Sequence, residues 1–350
     1  MSISDRLQEL ISCKSDIKAA IEEKGVKVTG GLSTYAECIR RISGGGSGVS
    51  LPPNTKFGGS TEITYIPFFD TSQYTNMRKM FSQCYQMLNV PPFNTYNVTT
   101  MAYMFEECNS LSTVPLFDTS KVTSMAGMFS MRPYDIIYPY IPESQLTSVP
   151  LFATSKVTSM SNMFEYCVNL PTVPLFDTSK VTDMSYMFKY CVNLPTVPLF
   201  ATSKVTSMSN MFTYCKSLTS IPQFDTSSVT SVSNMFYQCE QLTTIPLLDF
   251  SNVDELGYFC YDCIRLQNIG GFKNLGKTIV DGNGLGIMRA FYGCHYITRE
   301  SCVNIFNNLY DLSEYNVDTP EIRFESMVLN RLTDEDISIV VGKGWIISVL

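Results

Sequence analysis

Charge is scarce in this chain. Asp, Glu, Lys and Arg supply 16% of its 350 residues, against roughly a quarter in ordinary globular proteins, and the net charge is −7. A negative, sparsely charged chain lacks the basic face that nucleic-acid binding needs, so no nucleic-acid partner is expected. Apolar residues make up 45%, which excludes intrinsic disorder as the dominant state. No run of 18 apolar residues occurs, so no membrane span is expected. Histidine occurs once, at His295, which leaves little for imidazole-based metal or acid–base sites. The start, Met1-Ser2-Ile3-Ser4-Asp5-Arg6, lacks a basic segment followed by an apolar one. The expectation is therefore folding in a reducing cytoplasm, with the twelve cysteines as thiols.

What the chain has in abundance is itself. Val157–Pro174 reads VTSMSNMFEYCVNLPTVP, Val181–Pro198 reads VTDMSYMFKYCVNLPTVP, and the copy from Val205 reads VTSMSNMFTYCKSLTSIP. The phenylalanine of the Met-Phe pair recurs at Phe81, Phe105, Phe129, Phe164, Phe188, Phe212 and Phe236, in steps of 24 residues with a single step of 35. Degenerate copies are placed at Phe259 and Phe291. A fixed period of this size is the signature of a solenoid. Met160, Met163, Phe164 and Cys167 fall at i, i+3, i+4 and i+7, the spacing of one helix face. Leu170-x-x-Val173-x-Leu175 has the spacing of a leucine-rich-repeat strand, and Asp177-Thr178-Ser179 is suited to a turn. The fold class expected is thus an α/β solenoid: a leucine-rich-repeat-like array of units of about 24 residues, each a short strand plus a short helix. Prolines at Pro67, Pro91, Pro115, Pro150, Pro174, Pro198, Pro222 and Pro246 cannot donate to a ladder, so very short strands are expected.

The ends differ in composition. Residues 1–42 carry Leu7, Leu10, Ile11, Ile17 and Ile21 in a helical or broken-helical pattern. Thr34 with Glu37 resembles a capping box before a second helix. This segment is expected to anchor the protein or to assemble copies of it. A Gly/Ser/Pro linker at 43–59 follows, then repeats at 60–298 and a C-terminal cap at 299–350. Within that cap, Glu300–Leu312 reads as a helix, and Leu332–Leu350 as a helix followed by an apolar strand containing Trp345.

Several groupings invite a chemical reading. Cys84, Cys108, Cys167, Cys191, Cys215, Cys239 and Cys294 each follow the phenylalanine by three residues. Their place on the core-facing side makes them small hydrophobes rather than disulfides or metal ligands. Gly271-Phe272-Lys273-Asn274-Leu275-Gly276-Lys277-Thr278 matches the P-loop pattern, but Gly282 and Gly284 follow where the phosphate-facing helix should run. Asn97-Val98-Thr99 fits a glycosylation sequon. Neither nucleophile elbow nor paired metal-ligand cluster is found, so catalytic residues, cofactor and metal are all expected to be absent. Surface candidates for partner binding are Tyr134, Tyr138 and Tyr140, in an insertion of 11 residues after Phe129 that alternatively folds back over a neighbouring rung, and Tyr166, Tyr190 and Tyr214, spaced one per unit as an exposed stripe or as the flank of the helix.

The unit VTSMSNMFEYCVNLPTVPLFDTSK resembles the BspA-like leucine-rich repeats of bacterial surface proteins, over roughly residues 60–300. That resemblance implies a non-enzymatic adhesion array. The segment Asp16–Val26 followed by Tyr35-Ala36-Glu37-Cys38-Ile39 is similar to short N-terminal segments of tailed-phage fibre and virion proteins. Together they imply a virion-associated head or tail fibre, assembled in the host cytoplasm, contacting other virion proteins through residues 1–42 and a host surface protein or glycan through the array. A homo-oligomer is expected. The alternatives are a bacterial cell-surface adhesin and a purely structural capsid or tail protein.

Overall fold

A computed structural model describes residues 56–60, 63–66, 69–132, 144–280, 285–287 and 289–350. The N-terminal residues Leu7, Leu10, Ile11, Ile17 and Ile21, with their anchoring role, lie outside these residues, as do Tyr134, Tyr138 and Tyr140.

The chain coils into stacked rungs. Parallel bridges join Asn76 to Thr100, Thr100 to Ser124, Ser124 to Ser159, Ser159 to Asp183, Asp183 to Ser207, Ser207 to Ser231 and Ser231 to Glu255. Partners are 24 residues apart except at Ser124–Ser159, where the insertion makes the step 35. A repeat solenoid is therefore the architecture.

The expected helix in each rung is absent. Main-chain amides of Met163, Glu165 and Cys167 donate to the carbonyls three residues back, at 3.0–3.2 Å, not four. Met160, Asn162, Phe164 and Tyr166 instead donate to Asp183, Ser185, Met187 and Lys189 of the next rung, at 2.7–3.1 Å. An α-helix would spend every amide inside its own rung. Consecutive turns leave alternate amides free to join rungs. The turns need left-handed backbone two residues before and after the phenylalanine: φ is +57° at Asn162 and +62° at Tyr166, and the pattern recurs along the array. Type II turns place φ > 0 at their third residue in this way.

The other arm of each rung is extended, and its inward residues are Leu170, Val173 and Phe176. Leu175, the last position of the strand spacing, is 61% exposed. Inward residues recur here at every third position, so the place after Val173 falls to Phe176 and not to Leu175. Pro171 and Pro195 have no amide to give. Where Thr219 and Thr243 take that position, their amides donate to the preceding rung at 3.1 and 3.0 Å. Two-residue strands then appear: β1 (Thr244–Ile245) pairs with β3 (Asn268–Ile269), and β2 (Leu248–Asp249) with β4 (Phe272–Lys273), all parallel.

The core is a set of columns. Phe57, Phe81, Phe105, Phe129, Phe164, Phe188, Phe212 and Phe236 stack with centroids 5.6–5.8 Å apart and planes within 12°. A second column, from Phe117 through Phe152 and Phe176, leans on the first. Beyond Phe236 the regularity fails. The residue 24 positions on is Cys260, and Phe259 lies edge-on to Phe236 at 78°, in the position that methionine fills in earlier rungs. The degenerate copy is thus centred on Cys260 rather than Phe259; Phe291 returns to the ring position.

After α1 (Lys277–Val280) the C-terminal segment folds against the last rungs. It comprises α2 (Arg299–Asn308), β5 (Glu321–Phe324), α3 (Ser326–Leu329), α4 (Asp334–Gly342) and β6 (Ile346–Val349), with β5 and β6 parallel. Thr298 caps α2 by accepting from the Ser301 amide, and Thr333 and Asp336 form a capping box on α4. Arg299 locks the two helices together with a bidentate pair to Asp336 at 2.7 and 2.9 Å.

Candidate functional surface: an outer tyrosine ladder

Left-handed backbone is costly for any residue with a Cβ, about 1–2 kcal/mol, and glycine or asparagine fill such positions most cheaply. Three successive rungs nevertheless place tyrosine there, at Tyr166, Tyr190 and Tyr214. Each ring lies over the next: the Tyr166–Tyr190 and Tyr190–Tyr214 centroids are both 4.3 Å apart, at 11° and 9°. Stacking of this kind returns about 0.5–1.5 kcal/mol per pair, comparable with the backbone cost.

The ladder extends further than the sequence pattern indicated. Tyr237 meets Tyr214 at 5.6 Å and stacks on Tyr261 at 4.8 Å, and Tyr261 stacks on Tyr292 at 4.7 Å. These three rings escape notice because they shift by one position in the repeat; Tyr237 is 23 residues after Tyr214. Six half-buried or exposed tyrosines thus form one stripe. The rings face one another, so the stripe offers outside mainly ring edges. Lys189 lies 5.1 Å from the Tyr186 ring and 5.8 Å from that of Tyr190, and 3.6 Å from Glu165. Glu165 is almost fully buried, and burial pushes its carboxyl pKa up despite Lys189 and Arg132.

The thiols face inward. Each ladder cysteine donates to a carbonyl of the preceding rung: Cys108 to Phe81 at 3.1 Å, Cys191 to Phe164 at 3.1 Å, Cys215 to Phe188 at 3.0 Å and Cys239 to Phe212 at 3.0 Å. Cys263 continues the series to Phe236 at 3.0 Å. All ten cysteines among the described residues are free and buried. Burial raises their pKa values, to about 11 at Cys260 and about 12 at Cys302, so little nucleophilic thiolate forms at neutral pH.

The P-loop-like segment is filled by its own fold. A four-residue helix does begin at Lys277, contrary to the expectation that the later glycines would prevent it. However, a Cβ on Gly276 would sit 2.3 Å from Trp345, so the indole occupies the space beside that glycine. The Asn274 amide donates to the Asn308 carbonyl, Lys273 binds Asp249 at 2.7 Å, and the Thr278 hydroxyl donates to Val253. These groups hold rungs rather than a phosphate. In the sequon, the Asn97 amide nitrogen donates to Ser72 at 2.9 Å. Among the described residues no group of three or more His, Cys, Asp or Glu side chains could hold a metal ion, and no helix is long and apolar enough to cross a membrane.

The same repeats carry a family signature. Residues 54–133 and 141–245, just over half of the chain, match the family described as "Mycoplasma protein of unknown function, DUF285". The chain belongs to that family. It is also similar to a leucine-rich repeat protein from Eubacterium ventriosum known from a crystal structure: 15% identity, 63% of this chain and 81% of the other covered, TM-score 0.28. No curated protein matches it.

Proposed function

We propose that this DUF285 protein is a non-enzymatic adhesion scaffold, in which the solenoid displays the tyrosine stripe to a macromolecular partner. The observation that carries this reading is the ladder itself: tyrosines placed on unfavourable backbone in successive rungs and kept at the surface. Rigid amphipathic rings supply contact area at low entropic cost, and one contact set per rung lets weak contacts add along the rod. The oxidisable, nucleophilic thiols of the described residues, by contrast, are buried in the core. The partner is a host surface protein or glycan.

Two placements are compatible with such a scaffold. The virion fibre reading draws on residues 16–39 alone. A cell-surface adhesin draws on the repeats, and a family bearing the name of a bacterial genus favours it. Labelled full-length protein should bind target cells saturably, and Tyr190→Ala with Tyr214→Ala should reduce binding at least tenfold while leaving the circular dichroism unchanged. Undiminished binding by the double variant would refute the role of the stripe. Surface protease shaving of producing cells, against mass spectrometry of purified phage particles, separates the two placements.

A further inference from the structure

The extended arms form a face of unusual composition. In seven successive rungs the arm residues are 86–92, 110–116, 145–151, 169–175, 193–199, 217–223 and 241–247, and none is Asp, Glu, Lys or Arg. At the chain's overall frequency of 16% charged residues, several would be expected in segments of this total length. Their absence is therefore a property of the face. Its outward positions are Ser, Thr, Asn, Gln, Pro and Leu, and one column is mainly apolar: Leu116, Leu151, Leu175, Leu199 and Leu247 are 42–66% exposed. Many of its hydroxyls are already committed, as Thr147, Thr219 and Thr243 donate to carbonyls of the preceding rung at 3.2–3.3 Å.

We infer that this face is a self-association surface, and that its occupant is the same face of a second copy of this chain, packed antiparallel about a twofold axis. Three observations select that occupant. First, arms without charges meeting one another bury no unpaired charge, whereas a charged partner would strand its own groups there; Arg265, which donates to Gln241 at 2.7 Å, and Glu300 mark the C-terminal edge of the face. Second, the 24-residue period sets leucine in the same outward place on five of the seven arms, with Pro92 and Gln223 on the other two, so a twofold operation brings leucine column against leucine column over most of the contact. Third, the size is sufficient. Seven rungs at about 4.8 Å and arms of seven residues at about 3.3 Å give roughly 700 Å² per copy, and twice that falls within the 1,200–2,000 Å² of stable interfaces. A polysaccharide fits less well, because the outward positions hold no aromatic ring for a sugar to stack on and the Thr147, Thr219 and Thr243 hydroxyls are already engaged. This surface includes none of the six stripe tyrosines, so its failure would leave the adhesion reading untouched.

The test uses the full chain in sedimentation equilibrium at micromolar concentration. The wild type should be dimeric. Leu151→Glu, Leu175→Glu and Leu199→Glu combined should weaken dimerisation at least 100-fold with unchanged circular dichroism, because these side chains lie outside the core. Should the triple variant misfold, Leu175→Glu alone gives the same readout with a smaller shift. Mixing the triple-Glu variant with the triple-Lys variant at the same positions should restore a heterodimer. A monomeric wild type, a variant as dimeric as wild type, or a mixture that stays monomeric each overturns the proposal. A monomeric wild type that binds a neutral glycan through this face also counts against it.

Discussion

Truncation of Phe188 tests the claim that the rod is held by columns rather than by independent rungs. The ring is fully buried and lies parallel to Phe164 at 5.8 Å and Phe212 at 5.7 Å, with Phe200 at 6.2 Å. Phe→Ala in a packed core costs about 3–5 kcal/mol. Two stacked neighbours put this site at the upper end, about 5 kcal/mol. In a nearest-neighbour array that loss falls on the interfaces between one rung and the next on either side. The solenoid should then unfold in parts. Urea titration with pulsed thiol alkylation reads this directly, because the buried cysteines mark individual rungs. Cys191 lies in the damaged rung, and Cys215 donates to the Phe188 carbonyl; both should react at lower urea than Cys294 and Cys302. Trp345, in the C-terminal segment, should keep its native fluorescence through that first phase. Simultaneous labelling of all four cysteines, or a loss below about 1 kcal/mol against the 3–5 expected for a packed ring, would refute column stabilisation.

Other consequences are equally open to measurement. The Asp336 carboxyl is held down, to about 2, first by the Arg299 hydrogen bonds and then by the Thr333 amide. A depressed carboxyl contributes stability above its unfolded value, near 3.9, and that contribution is lost as pH falls from about 4 through about 2. Trp345 fluorescence should report loosening of the α2–α4 contact over that window, and Asp336→Asn should be destabilised at pH 7 and flatten the profile. Gly276 has φ +93° and lies against Trp345, so Gly276→Ala should destabilise the chain by about 2 kcal/mol or more from strain and overlap; an unchanged urea midpoint would contradict the packing described. Isothermal calorimetry with ATP should show no micromolar binding, and Lys277→Ala should change nothing, because the loop is occupied by Trp345 and Asn308.

The periodicity exposed the stack, and the physical reason is plain: identical rungs need identical inward residues. Met160, Met163, Phe164 and Cys167 do face the core. Their spacing misled only about the backbone that carries them, since chained three-residue turns bring the same positions inward as a helix does. Nothing local signals the difference. It arises from amides of one rung bonding the next. The leucine-rich-repeat spacing Leu170-x-x-Val173-x-Leu175 did not show that the inward place falls to adjacent Phe176. The centre of the eighth copy was assigned by ring identity to Phe259, when counting 24 residues from Phe236 reaches Cys260. Counting 23 from Tyr214 would likewise have found Tyr237. The uncharged arms were visible to anyone aligning the units, but only the structure shows which of their residues face outward.

The single long step in the array, from Ser124 to Ser159, keeps the contacts of the regular ones. Across it, Met125 donates to Ser159 at 3.1 Å and Phe129 to Met163 at 3.0 Å, the same lengths that join rungs elsewhere. Extra chain can therefore leave at this corner and return without disturbing its neighbours, since lengthening a closed loop adds little entropy cost. The corner is a natural graft point. Descendants of this protein could change what they carry there, in length and in composition, while the rod beneath stays the same.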